Sequence, residues 1–310
     1  MKLSGNILES IGNTPLVELH KVVPPNCARI AAKLEWANPT GSMKDRMAKA
    51  VIEHAEADGH LSPGGTVVEY TSGTTGVSLA LGCAAKGYRF HAVFSDAFSD
   101  EKRFTMRAFG AQITDVRSDN KKITEKLIKE MIEKSRVISQ EPDHWWSDQL
   151  NNRAAITGYY SLGEEIWNQL DGKVDAFVQV VGTAHSIHGA TKSLRKHKPD
   201  LHVTAVEPAE SAVLSGKPTG SHKIEGIGIG FIPPLWEPDQ VDEILTVTTE
   251  EAKTMARRLA REEGLFAGTS SGANVVAAIR VAEKLGPQAT VVTIMVDSGL
   301  RYLSTDLYRQ

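Results

Sequence analysis

Lys44 stands in a setting unlike that of an ordinary surface lysine. It follows Asn38-Pro39-Thr40-Gly41-Ser42-Met43 and precedes Asp45-Arg46. Pro39 and Gly41 predict a turn that delivers Lys44 to the first turn of a helix. Thr40, Gly41 and Ser42 are small, so another molecule could approach the backbone closely. A helix N-terminus disfavours a cation, which lowers the lysine pKa and frees the amine as a nucleophile or base. Residue type alone favours a solvated lysine; the setting is what singles this one out.

Two further segments could meet anions. Thr71-Ser72-Gly73-Thr74-Thr75-Gly76 follows an apolar run and opens a helix. Its hydroxyls and N–H groups suit an ordinary N-cap, and equally the α-carboxylate of an amino acid. Gly182-Thr183-Ala184-His185-Ser186 follows another apolar run and also precedes a helix. It has neither the P-loop spacing nor a dinucleotide fingerprint, and is read as a phosphate candidate. Gly268-Thr269-Ser270-Ser271-Gly272 is a further small-residue loop at a helix start. An amine for a Schiff base, a carboxylate site and a phosphate site are together what a pyridoxal phosphate enzyme needs. His185 and His188 lie three apart without an acid or cysteine beside them, so no metal site is read.

The elements that must position these loops alternate along the chain. Strands are expected at 29–33, 66–69, 90–94, 112–116, 176–181, 202–206 and 290–296. Helices are expected at 44–58, 75–86, 101–109, 121–135, 153–170, 186–196, 250–263 and 272–285. Several strands lack polar alternation, as in strands covered on both faces. The expected fold is α/β, with two domains, each a largely parallel sheet wrapped by helices, and the cofactor in the cleft between them. A polar and aromatic interruption at 139–152 is taken as the crossing. The smaller domain would span 42–150, and the larger would combine 1–41 with 151–310.

Composition narrows the function classes. The 310 residues are 41% hydrophobic and 24% charged with a net charge of −3, ordinary for a globular protein and not suited to nucleic acid or anionic membranes. No apolar run approaches the roughly 20 residues of a membrane span, and the N-terminus lacks a signal-peptide core. The cytosol is the expected compartment. Cys27 and Cys83 form no CxxC pair, so neither a zinc site nor a disulfide framework is expected.

The loops occur in an order that resembles the cysteine synthase (O-acetylserine sulfhydrylase) family and its relative cystathionine β-synthase, fold-type II pyridoxal phosphate enzymes of the tryptophan synthase β type. The resemblance spans essentially the whole chain. It runs from Ile11-Gly12-Asn13-Thr14-Pro15-Leu16 through the Lys44 and Thr71–Gly76 segments, Asp148-Gln149-Leu150 and His222–Gly228. It ends with Gly268–Ala273 and Asp297–Thr305.

By that resemblance Lys44 forms the Schiff base and removes the α-proton. Thr71, Ser72, Gly73, Thr75 and Gln149 hold the substrate, and closure of their loop shields it from water. Gly182, Thr183, Ala184, His185 and Ser186 bind the cofactor phosphate. Thr74 contacts the cofactor, and Ser270 meets the pyridine nitrogen. A serine there does not keep the pyridine protonated, which favours β-elimination over transamination. The implied activity is β-replacement on a β-substituted L-serine through an aminoacrylate, foremost O-acetyl-L-serine plus sulfide giving L-cysteine. Cysteine desulfhydrase or cystathionine formation would be alternatives, as would a weakly catalytic paralogue with a regulatory role. A homodimer is implied, and serine acetyltransferase is a partner by analogy.

The chain departs from the family pattern at three places. Thr74 replaces an asparagine, Gly182–Ser186 replaces Gly-Thr-Gly-Gly-Thr, and Asn152-Arg153 replaces Asn-Pro. With two glycines lost, positive φ at Ala184 or His185 is expected to be disfavoured.

Overall fold

The computed structural model describes residues 3–309. β1 (Leu16–Leu19) and β2 (Arg29–Leu34) precede α1 (Lys44–Ala57). Then follow β3 (Thr66–Tyr70), α2 (Thr74–Lys86), β4 (Arg89–Ser95), α3 (Asp100–Ala108), β5 (Gln112–Val116), α4 (Glu125–Ile138) and β6 (His144–Trp146). The chain continues through α5 (Ala154–Thr157), α6 (Tyr160–Gln169), β7 (Ala176–Val180), α7 (His185–His197), β8 (His202–Pro208) and β9 (Glu243–Val247). It finishes with α8 (Thr249–Arg258), α9 (Thr269–Leu285) and β10 (Thr290–Met295).

Two sheets result. The smaller has the order β5-β4-β3-β6 and is parallel throughout. The larger has the order β1-β2-β10-β7-β8-β9, with β1 the antiparallel edge. β3, β7 and β10 are buried along their whole length, which is why their sequences run apolar without alternation. The expected two-domain α/β architecture is therefore present.

Several expected boundaries shift, each for a local reason. The helix expected at 121–135 starts at Glu125, because Asn120 and Lys121 take positive φ and Thr124 caps the Leu127 N–H from its side chain. The helix expected at 153–170 breaks into α5 and α6 near Gly158. There α5 meets α1 so closely that a Cβ on Gly158 would lie 2.6 Å from the Arg46 carbonyl oxygen. The helix expected at 250–263 ends at Arg258, and Leu259–Glu263 widens into a π turn closed by Gly264. β1, β6 and β9 were not expected; β6 falls inside the interruption at 139–152 and pairs with β3.

A buried charge network anchors the start of α1. Arg46 donates from Nε and Nη2 to Glu35 at 2.7 and 2.8 Å, and from Nη1 and Nη2 to Glu165 at 2.7 and 2.8 Å. Lys33 joins Glu165 at 2.7 Å and donates to the Thr14 carbonyl at 2.6 Å. Thr14 and Asn38 complete Glu35 at 2.6 and 2.9 Å. Burial works against ionisation of Glu165, but Arg46 and Lys33 win and hold its pKa down to about 2. The network ties β2, α1 and α6 together two residues from Lys44. Asp45 is not part of it; its carboxylate accepts from the Thr40 N–H at 2.8 Å and the Thr40 hydroxyl at 2.5 Å.

Candidate active site

The turn that carries Lys44 is stitched to the end of β10. The Met43 N–H donates to the Val296 carbonyl at 3.0 Å, and the Ser298 N–H donates to the Gly41 carbonyl at 3.0 Å. Gly41 needs its glycine, with φ of 77°. Lys44 keeps partial exposure toward a cavity, yet burial pushes its ammonium down to about 8 against the opposing pull of Asp297. About a tenth of the amine is therefore neutral at pH 7, far more than for an ordinary lysine; the sequence pointed to a lowered pKa, and burial is its main cause.

The cavity gathers predicted residues from distant parts of the chain. Lys44, Ser72, Thr74, Thr75, Gln149, Gly182 and Thr183 line it together with Ile224 and Gly226–Gly228. Phe98 and Ile123 are shared with a wider cavity of about 650 Å³ that forms its mouth. Thr71, Gly73, Ala184, His185, Ser186 and Ser270 stand behind this surface. Ser270, in the first turn of α9, is 2% exposed.

The structure gives some of these residues narrower tasks. The Thr71 hydroxyl accepts from the Gly73 and Gly76 N–H groups at 2.8 and 3.0 Å, so it folds the loop. Gln149 is held from both sides: its Oε1 accepts from Thr75 at 2.9 Å, and its Nε2 donates to the Tyr70 carbonyl at 2.7 Å. Thr74 reaches Asp297 Oδ2 at 3.5 Å, and Tyr302 donates to the same oxygen at 2.8 Å. Ala184 takes φ of 68° despite its Cβ; the left-handed turn is kept where the sequence predicted it to be disfavoured. His185 is fully buried. Its Nδ1 lies 2.9 Å from the Thr183 hydroxyl, and its Nε2 has no partner. Burial first, then Lys44 and His188, push its pKa well below the usual histidine value, so the ring is neutral.

α2, α7 and α9 each begin without a side-chain bond from their N-cap residue, although in α2 the Thr71 hydroxyl takes up the Gly76 N–H. Their first-turn N–H groups have no carbonyl beneath them, and they carry the positive end of the helix dipole. A cofactor with an aldehyde, an anionic phosphate and a ring nitrogen fits this donor set. The amine of Lys44 suits the aldehyde, and the α7 N-terminus with Thr183 and the orphaned His185 Nε2 suits the phosphate. Among the described residues no His, Cys, Asp and Glu cluster could hold a metal, and no helix is long and apolar enough to cross a membrane.

Sequence reading missed Glu69, which sits within the buried strand β3. It accepts from the Ser147 hydroxyl at 2.6 Å and the Gln149 N–H at 2.9 Å. Burial raises its pKa to about 8 against these bonds, so it is mostly protonated at pH 7. The available signal was an acid in an otherwise apolar strand, Thr66-Val67-Val68-Glu69-Tyr70. The folded pKa lies above the ordinary 4.5, so this group's stabilisation is full below about pH 4.5 and lost as pH rises through about 8. Glu69→Gln, isosteric with the protonated acid, is expected to flatten that pH dependence in urea midpoints measured from pH 5 to 9 while leaving Gln149 in place.

Two parallel-sheet domains, with Lys44 and the starts of α2 and α7 gathered at one cavity, have the make-up of a pyridoxal phosphate enzyme. Sequence comparison agrees: the profile of the family described as pyridoxal-phosphate dependent enzyme matches residues 7–297, and the chain belongs to that family. It is 42% identical over 305 residues to a cysteine synthase of Staphylococcus aureus, covering 98% of this chain and 96% of the relative. Its structure is similar to a cysteine synthase of Entamoeba histolytica, with TM-score 0.92, 38% identity, and 99% and 91% coverage. It is also similar to an O-acetylserine-dependent cystathionine β-synthase of Helicobacter pylori, with TM-score 0.93, 34% identity and 100% coverage of both chains.

Proposed function

We propose that this protein replaces the β-substituent of an L-serine derivative, foremost O-acetyl-L-serine with sulfide to give L-cysteine. The observation that carries the reading is Lys44, whose side chain lines one cavity with Ser72, Thr74 and Thr75 at the start of α2 and with Gly182 and Thr183 just before α7. The S. aureus and E. histolytica relatives, both cysteine synthases, support the substrate assignment.

Bound pyridoxal phosphate supplies an aldehyde for attachment and an electron sink for charge developing at the substrate α-carbon. Lys44 Nζ would hold it, and the same amine in its neutral form would take the α-proton of a bound amino acid. The α2 N-terminus, with Ser72, Gly73 and Thr75, receives the substrate carboxylate, and Thr74 contacts the cofactor. Thr71 and Gln149 act one step back, by shaping the loop and fixing Thr75. The α7 N-terminus, with Gly182, Thr183, Ala184, His185 and Ser186, takes the phosphate, and Ser270 takes the ring nitrogen. A carboxylate bound at α2 orients the amino acid so that its α-proton faces Lys44, and the buried walls exclude water from the product of β-elimination.

The reading extends to domain limits of 42–150 and of 1–41 with 151–310, and to a homodimer in the cytosol. Serine acetyltransferase is included as a partner by analogy.

The test is direct. Purified protein supplied with pyridoxal phosphate, O-acetyl-L-serine and sulfide is expected to form L-cysteine with turnover on the order of 1–10³ per second. Formation no faster than in the enzyme-free mixture would overturn the reading.

A further inference from the structure

We propose that Lys102 is a positioning residue that sets the substrate-carboxylate loop against the opposite wall of the cleft. Lys102 lies on α3, beside the smaller sheet, and its side chain is 1% exposed. Its hydrocarbon stem runs directly beneath Gly73, the residue that starts α2. A Cβ on Gly73 would stand 2.4 Å from Lys102 Cδ and 2.7 Å from its Cβ. Gly73 also has φ of 112°, so backbone conformation and this close approach both require a glycine.

The ammonium then crosses the cleft. It pairs with Glu225 at 2.5 Å and lies 4.8 Å above the Tyr302 ring. Glu225 sits between Ile224 and Gly226–Gly228, which line the same cavity as Ser72 and Thr75. Tyr302 donates to Asp297, the carboxylate that acts on Lys44 and lies near Thr74. The residue before Lys102 strengthens the same seam: Glu101 accepts from the Ser304 N–H at 2.7 Å and from the Ser304 hydroxyl. One side chain thus supports the floor of the loop and grips both structures on the far side. The Lys102 ammonium is buried while Glu225 keeps some exposure, so removing Glu225 would leave a buried cation without its partner. The inference rests on the reading that the 71–76 loop holds the substrate carboxylate; it assigns the residue that holds the loop.

The test uses the holoenzyme. Lys102→Met keeps the stem under Gly73 and removes the charge, Glu225→Gln removes the partner, and Lys102→Arg restores a cation. In both charge-removing variants, amide exchange at 73–76 is expected to quicken at least about tenfold, with exchange in α6 unchanged. KM for O-acetyl-L-serine is expected to rise at least about tenfold while kcat stays within about threefold, and Lys102→Arg is expected to recover most of both effects. Unchanged exchange at 73–76 in both Lys102→Met and Glu225→Gln would overturn the assignment. Faster exchange in the variants of a protein whose wild type turns over no β-substituted serine would support Lys102's role and sink the β-replacement reading instead.

Discussion

Lys44→Ala is expected to lower kcat/KM by at least about 10³-fold, equivalent to about 4 kcal/mol of transition-state stabilisation. Two functions of one amine disappear together, the covalent hold on the cofactor and the base that takes the α-proton. The loss should fall mainly on kcat, because the carboxylate and phosphate donors belong to other elements. Stability should change little, since a buried amine with a lowered pKa is not a stabilising charge. Exogenous primary amines are expected to restore a small part of the activity, since they can take up the missing proton-transfer role. Steady-state kinetics and thermal unfolding of the same sample check both halves.

Arg46→Met is expected to destabilise the protein by about 3–5 kcal/mol, the range found when one member of a buried ion pair is removed. Glu35 and Glu165 would lose their shared cation, and Glu35 is fully buried. The acid side gives a second signature. The folded pKa of Glu165, about 2, lies below its ordinary 4.5. Its stabilisation is therefore present above about pH 4.5 and lost as pH falls toward about 2. Part of that acid sensitivity should vanish in Arg46→Met, because the principal cation facing Glu165 is gone. Denaturant unfolding at pH 7 and pH 3.5 would measure both effects. Arg46 follows Lys44 by two residues, so a loosened network should also lower activity without touching the amine.

The functional loops were legible because their chemistry is local. A turn of small residues, an apolar strand before it and a helix after it lie within a few positions of Lys44, Thr75 and Ser186. What was hidden depends on distant partners. Glu35, Arg46, Glu165 and Lys33 meet only after β2, α1 and α6 have packed. Lys102 reads as one more helical lysine until Gly73 lies over its stem. β1 and β6 escaped because they are short, and all three of β1, β6 and β9 are only partly buried, so no fully apolar run marks them. The altered phosphate loop shows the opposite case. Ala184 was expected to resist a left-handed conformation, yet it adopts one with Val181 and Ile187 buried on either side. Packing around the turn outweighs a cost of about 1–2 kcal/mol for a side chain there.

Whether Lys44 carries pyridoxal phosphate can be read from peptide mapping of the borohydride-reduced holoenzyme. Reduction fixes the cofactor to whichever amine holds it. A single pyridoxyl-modified peptide is expected, with the modification on Lys44. Modification at another lysine, or none in protein that has taken up the cofactor, would contradict it.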